Sequence, residues 1–436
     1  MRQAAFPDLR RFGWSRLVES GLGTLVTCAT LGLLLAACGG GGKSASSHGA
    51  SSSGEARVSI TPTSGSVDST PNSGIRVSAA GGTISSVSVQ TKGEPVTGTL
   101  NADGTVWQSK WALNVSQRYA VVATAVTHSG KRVTETSSFR TFTPRQTFTT
   151  KIIEGYGQTY GVGMPIILYF SQPVTDKAAV ERALDIRSSR PVIGSWYWDS
   201  QCGTAPVCAY FRPRHYWPSG TQVSFTGHLN GIEASPGVYG DHTLTQSFRI
   251  GSPLIADVNT AGHYMNVYRD GKLFAHWAIS SGRPGDDTPN GSYLTIEKAN
   301  PVDMKGPGYD IEVPYSVRFT WSGDYLHDAY WSVGDQGFTN VSHGCVNMSP
   351  ENAATYYNMA VPGDPVNVTG SPRAGTLDNG WTMWFLTWNQ WVRGSALHEA
   401  VQVASDGSTF VSASSPPANS SAAPLGASNS YRAPAL

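Results

Sequence analysis

The sequence predicts a mainly β protein: two immunoglobulin-like β-sandwiches, then a third β-rich domain and a short Trp-rich C-terminal subdomain. Three observations carry this. The chain has 436 residues, too many for one ordinary domain. Only 14% are charged, while 48 Gly and 26 Pro punctuate a chain that is 39% hydrophobic, a mix suited to turn-rich extracellular modules. Short alternating segments recur at regular intervals, separated by turns such as Gly81-Gly82, Asp103-Gly104 and Ser129-Gly130, the spacing of sandwich strands.

The order of parts begins with a targeting segment at 1–37. Arg2, Arg10, Arg11 and Arg16 precede an apolar run from Leu22 to Leu35, too short to span a membrane and of the length of a signal h-region. Leu35-Ala36-Ala37-Cys38-Gly39 reads as a lipobox, with Cys38 as the lipidated first residue of an exported, membrane-anchored protein. An ordinary cleaved signal is the alternative. Residues 38–54 are a Gly/Ser tether that cannot bury a core. Removing 1–37 takes away four Arg with Asp8 and Glu19, so the formal charge falls from +1 to −1. Such a balance gives no electrostatic footprint for nucleic acid.

The first sandwich is assigned to 55–145. Ile75–Ala79, Val87–Gln90 and Tyr119–Val126 are its strands, with Trp107 and Trp111 as core anchors. The second is assigned to 146–250, with strands near Pro165–Phe170, Ser195–Trp198, Cys208–Phe211 and Gln222–Thr226. A short helix begins at Asp176, an N-cap type. Trp196, Tyr197 and Trp198 are read as core rather than as a sugar platform. The third domain covers 251–372 and enters a helix near Ser349, with Pro350 at its first position. In the subdomain 373–405, Trp381, Trp384, Trp388 and Trp391 are spaced 3, 4 and 3, a helical stripe expected to pack back on the third domain. The Ser/Ala/Pro-rich tail 406–436 is expected to be disordered.

Five cysteines sort by position. Cys28 leaves with the signal and Cys38 takes the lipid. Cys202 and Cys208 flank a Gly/Pro turn in an oxidising compartment, where a local disulfide is expected over two free thiols. Cys345 is left unpaired, a flag for reactivity in an exported chain. His327 stands eighteen residues before it and His343 two before it. A thiol needs a base or a positive field to become a nucleophile. Gly344 removes bulk beside it, so that an amide can approach an oxyanion. The helix that follows would lower the thiol pKa if close enough. Spacing alone leaves three readings open: catalysis, zinc ligation by His327, His343 and Cys345, and a buried structural cysteine.

The run His327, then Ser342-His343-Gly344-Cys345-Val346-Asn347, resembles the signature of the L,D-transpeptidase catalytic domain. The resemblance extends to the lipobox, two immunoglobulin-like domains and a Trp-rich C-terminal piece, as in mycobacterial-type members. It implies that 251–372 is the catalytic domain, with Cys345 as nucleophile and His327 as base. Asp328 would act through its backbone carbonyl, although relatives often have Ser there. His343 and Gly344 would shape the site, and Tyr309, Ser322, Gly323, Trp331 and Asn347 would contact substrate. Tyr330 replaces a common Pro. Glu233 to Gly237 keeps one acid of a calcium loop seen in some relatives but has Pro236 at the second, so no metal is expected, and no cofactor. The implied reaction is formation of 3→3 cross-links between peptidoglycan stem peptides, with release of D-Ala from a tetrapeptide donor and a diamino-acid side chain as acceptor. Carbapenem β-lactams are the implied inhibitors. The alternatives are a non-catalytic wall-binding lipoprotein, and an L,D-carboxypeptidase or other cell-wall cysteine acyltransferase.

Overall fold

The computed structural model describes residues 57–306 and 309–415; the signal segment, Cys38 and its tether lie outside them. Alternating sequence folds as alternating burial. Arg118–Thr127 is buried at every second position as Tyr119, Val121, Ala123 and Ala125, as a half-exposed antiparallel strand requires. It is the middle strand between Gly82–Thr91 and Arg132–Arg140. This sheet packs on a four-stranded one that starts with Arg57–Thr61 and Arg76–Ala80, enclosing Ile60, Ile75, Val77, Leu113 and Phe139. Trp107 packs at the edge of that core. Trp111 is not a core anchor. Its ring stacks on His228 of the next domain with centroids 4.0 Å apart, so it joins the two sandwiches.

In the second sandwich Val192–Asp199, Val207–Pro213 and Ile166–Phe170 are central strands buried on both faces. Trp196 and Trp198 lie in the core. Asp176 caps the helix Lys177–Arg182 by accepting from Ala179 N–H. Cys202 and Cys208 are joined by a disulfide. Glu233 turns inward on its own loop and accepts from Gly237 N–H at 2.8 Å.

The six-stranded sheet of this sandwich contains a hairpin from the far end of the chain. Ala400–Ala404 pairs with Val192–Gly194, and Gly407–Val411 follows it. The tail was expected to be disordered from 406; residues 407–411 instead form this edge strand, and 416–436 lie outside the described residues. The Trp stripe is also corrected. A 3-10 turn at Met383–Phe385 and the α-helix Trp388–Arg393 are separate. Thr387 and Gln390 form a capping box between them, and a helix start cannot lie inside a helix. These side chains wedge between domains rather than covering the third alone. Trp381, Met383 and Trp391 cluster with Met164 and Ile167 of the second sandwich and Leu294 and Ile296 of the third domain. Trp384 Nε1 donates to Gly163 O, and Trp391 Nε1 to Ser195 O, each at 2.8 Å.

The third domain has two sheets around Met265, Tyr293, Phe319, Leu326, Val346 and Tyr356. One is five-stranded, Lys272–Ala278, Tyr264–Arg269, Leu254–Asn259, Pro365–Thr369 and Gly291–Leu294 in spatial order. The other runs Glu297–Ala299, Ser316–Arg318, Tyr325–Asp328, Val346–Met348. A separate hairpin, Val302–Gly306 with Tyr309–Val313, carries Tyr309. The helix Pro350–Met359 starts where expected, with the Ser349 side chain accepting from Asn352 N–H.

Candidate active site

Two neighbouring parallel strands bring the sulfur and the imidazole together. Tyr325–Asp328 pairs with Val346–Met348 so that His327 faces Asn347 and Leu326 faces Val346. Cys345 directly precedes the second strand. Side chains alternate along a strand, so Cys345, beside Tyr325, emerges on the same face as His327, one strand across and two residues back.

The imidazole is buried, with 3% of His327 exposed. Its Nδ1 lies 2.7 Å from Asp328 O. A carbonyl can only accept, so Nδ1 carries the proton and Nε2 keeps a free lone pair. Burial pushes the ring pKa down to about 4, with the Asp328 carbonyl pulling the other way. The Asp328 carboxylate is itself buried and its Oδ1 has no partner; it is not among the groups that shift His327. Trp331 lies 6.0 Å from the His327 ring, near-parallel, and is 46% exposed. It sits on the short 3-10 helix Tyr330–Ser332.

Cys345 is half-buried. Its thiol donates to Gly323 O across 3.7 Å. Burial pushes the thiol up to about 12; Asp324 pushes it further up, and Tyr325 N–H opposes. The expected help from the helix dipole is absent because the extended strand Val346–Met348 separates Cys345 from the helix start. That distance of about 10 Å exceeds the reach of a terminal turn. At neutral pH the resting pair is therefore a neutral thiol and a neutral imidazole.

The turn before the thiol is held rigidly. Ser342 Oγ donates to Cys345 O at 2.6 Å and accepts from Gly344 N–H at 3.2 Å. Thr288 Oγ1 donates to Gly344 O at 2.7 Å. Gly344 has φ +129°, and a Cβ there would meet Asp324 Oδ1 at 2.3 Å, so no side chain fits. His343 is exposed and stacks near Tyr309, centroids 4.9 Å apart.

The expected contact residues divide. Tyr309 and Trp331 flank the pair, and Gly323 reaches it by its carbonyl. Ser322 has its hydroxyl engaged, donating to Asp324 Oδ2 at 3.0 Å and accepting from Asn379 Nδ2 at 2.9 Å. Asn347 does not face the opening. It is 3% exposed, and its amide donates to Ser332 Oγ at 2.9 Å, which ties it to the Tyr330–Ser332 turn. Sequence reasoning missed Asp324, Thr288 and Asn379. Asp324 is buried and accepts from Thr320 Oγ1 at 2.7 Å; burial raises its pKa. In sequence it looks like any acid in a Ser-Gly-Asp turn. Among the described residues no group of three His, Cys, Asp or Glu side chains is arranged to hold a metal.

A thiol and a tautomer-fixed imidazole on adjacent strands make up the equipment of a cysteine acyltransferase. Comparison with known proteins narrows this class. The model of the L,D-transpeptidase catalytic domain matches residues 253–368, and that of a bacterial Ig domain matches 66–233. L,D-transpeptidase 2 of Mycobacterium tuberculosis (strain CDC 1551 / Oshkosh) is 31% identical over 353 residues, 78% of this chain and 85% of the relative. L,D-transpeptidase 5 of Mycobacterium tuberculosis (strain ATCC 25618 / H37Rv) is 34% identical over 352 residues, 78% of this chain and 77% of the relative. A solved L,D-transpeptidase in complex with imipenem aligns with TM-score 0.43 and 34% identity, over 52% of this chain and all of that one. The chain belongs to the L,D-transpeptidase family.

Proposed function

We propose that the chain joins peptidoglycan stem peptides by 3→3 cross-links through a thioester on Cys345. The observation that supports this most directly is the Nδ1–H bond to Asp328 O, which leaves the Nε2 lone pair free on a ring one strand across from Cys345. In the first step Nε2 takes the Cys345 proton as sulfur attacks the carbonyl of the third stem residue. The resulting oxyanion is held by the backbone N–H of Cys345, in the rigid turn that follows Gly344. The C–N bond to the terminal D-Ala then breaks, and its nitrogen leaves with the proton from the imidazolium. In the second step the side-chain amine of another stem attacks the thioester, gives a proton to Nε2, and expels the thiolate, which recovers that proton. One amide is broken and one made, so no nucleotide is consumed.

A neutral resting pair suits this sequence, since deprotonation of the thiol is coupled to attack rather than completed before it. The thioester explains an expected sensitivity to carbapenems, whose strained lactam carbonyl acylates a thiol in the same way. The Leu35–Gly39 motif supports an exported enzyme held to the membrane by a lipid on Cys38. The sandwiches then act as a spacer that carries the site into the wall.

The deciding experiment is mass spectrometry of the products from a disaccharide tetrapeptide. A 3→3 dimer with free D-Ala supports the proposal. Tripeptide alone assigns carboxypeptidase action instead, and unchanged substrate with unacylated Cys345 favours a wall-binding lipoprotein.

A further inference from the structure

The Ser322-Gly323 turn sets the acceptor for the thiol proton, and the C-terminal segment grips that turn. Asn379 does so twice. Its Oδ1 accepts from Ser322 N–H at 2.8 Å, and its Nδ2 donates to Ser322 Oγ at 2.9 Å. Ser322 Oγ passes the contact on to Asp324 Oδ2 at 3.0 Å. The approach is close by construction. The next residue, Gly380, has φ +131°, and a Cβ on it would stand 2.8 Å from Phe319 O. Trp381 meets Trp321 edge-on at 6.3 Å. Arg318 holds the first half of the turn, donating to Thr320 O at 2.9 Å and Trp321 O at 2.7 Å. The second half, Ser322-Gly323, is the part that Asn379 fixes.

We propose that Asn379 is a positioning residue for acyl transfer, holding the Ser322-Gly323 turn so that the Gly323 carbonyl keeps the Cys345 thiol aimed at its acceptor. The inference rests on the reading of Cys345 as nucleophile. It makes the C-terminal segment, which contributes no group to the chemistry, a working part of the site. Ser322 has both its hydroxyl and its backbone N–H engaged inside this network.

The carbonyl that accepts the S–H proton stabilises the thiol over the thiolate and also orients it. Loosening the turn therefore changes two rates in opposite directions. In the full chain, Asn379→Ala should slow Cys345 acylation by a carbapenem tenfold or more. Alkylation of Cys345 by iodoacetamide should begin at lower pH than in the wild type. A merely structural role would not produce opposed changes, because a loosened fold speeds or slows both reagents together. Asn379→Asp keeps the size and the acceptor for Ser322 N–H but loses the donor. It should show the same opposed changes at smaller size, and it carries the test if Asn379→Ala does not fold. Rates within twofold of wild type for both reagents, or both moving the same way, overturn the proposal. If the wild type resists carbapenem yet is alkylated at Cys345, the acyl-transfer reading fails by itself. The alkylation profile then still decides whether Asn379 fixes the thiol: an unshifted profile in both variants overturns it, and a shifted one supports it.

Discussion

The neutral thiol–imidazole pair can be tested through the reactivity of Cys345 without substrate. With its pKa pushed to about 12, the thiol is ionised to only about 3 parts in 100,000 at pH 7.5. An ordinary cysteine of pKa about 8.5 is about one-tenth thiolate there, about 3,000-fold more. A more basic thiolate is also more nucleophilic; with a Brønsted slope of about 0.45 the gain is about 40-fold. The net expectation is that iodoacetamide modifies Cys345 about a hundredfold more slowly than free cysteine at pH 7.5. The logarithm of the rate should rise by one for each pH unit from 6 to 10, followed by intact-mass spectrometry. His327→Ala should leave that slope in place, while acylation by a carbapenem falls about 100- to 10,000-fold, the range for loss of a general base. Acylation by the wild type should hold down to about pH 5 and fail only as the ring protonates near 4. A flat alkylation rate between pH 6 and 8, faster than free cysteine, would mean a preformed thiolate–imidazolium pair and would refute the reasoning.

Three further expectations follow from buried charge and backbone geometry. Asp324→Asn removes the carboxylate that, after burial, does most to raise the thiol, so alkylation of Cys345 at pH 8 should quicken severalfold; no change would remove Asp324 from the electrostatics of the site. Gly344→Ala places a Cβ against Asp324 Oδ1 in a left-handed backbone, a strain of about 1–3 kcal/mol before the clash. It should abolish cross-linking, and wild-type turnover in that variant would disprove the rigidity of the turn. Glu154 is buried, with Ile167 N–H as donor to its carboxylate, and burial raises it to about 8. The folded state keeps the proton that the unfolded chain releases near 4.5, so stability is lost as pH rises from about 4.5 to 8, by up to about 5 kcal/mol. Glu154→Gln should flatten that loss in urea titrations at pH 5 and 8, and parallel losses in both proteins would count against it.

How much could be read from the sequence depended on how local each signal was. The caps at Asp176 and Ser349 act within one turn, and both helices begin where those residues stand. Alternation in Tyr119–Val126 is likewise local. The Trp spacing misled because a capping pair, Thr387 with Gln390, sits inside it; that Thr-x-x-Gln signature was available in the sequence and outranks periodicity. The Ala400–Val411 hairpin also left a trace, alternation on both sides of Asp406-Gly407, a turn pair of known type, but its partner strand is some two hundred residues earlier. His327 and Cys345 were legible as a pair through their motif. Asp324 and Asn379 were not, since nothing local distinguishes an acid or amide in a turn from one that meets a nucleophile's neighbour across the fold. The thiol's environment was misjudged for a similar reason: burial is a property of the assembled domain.

The returning hairpin has a mechanical consequence. The chain leaves one sheet of the second sandwich at Ile250, builds the third domain, and comes back to add Ala400–Ala404 to the other sheet of the same sandwich. The third domain is thus spliced into the sandwich at two points instead of hanging from one. A body held by two separated strands has no free hinge, so pulling on the third domain loads ladder hydrogen bonds before it can swing the site. Heating should likewise melt sandwich and third domain in one cooperative transition, and trimming the chain before Ala400 should split that transition into two.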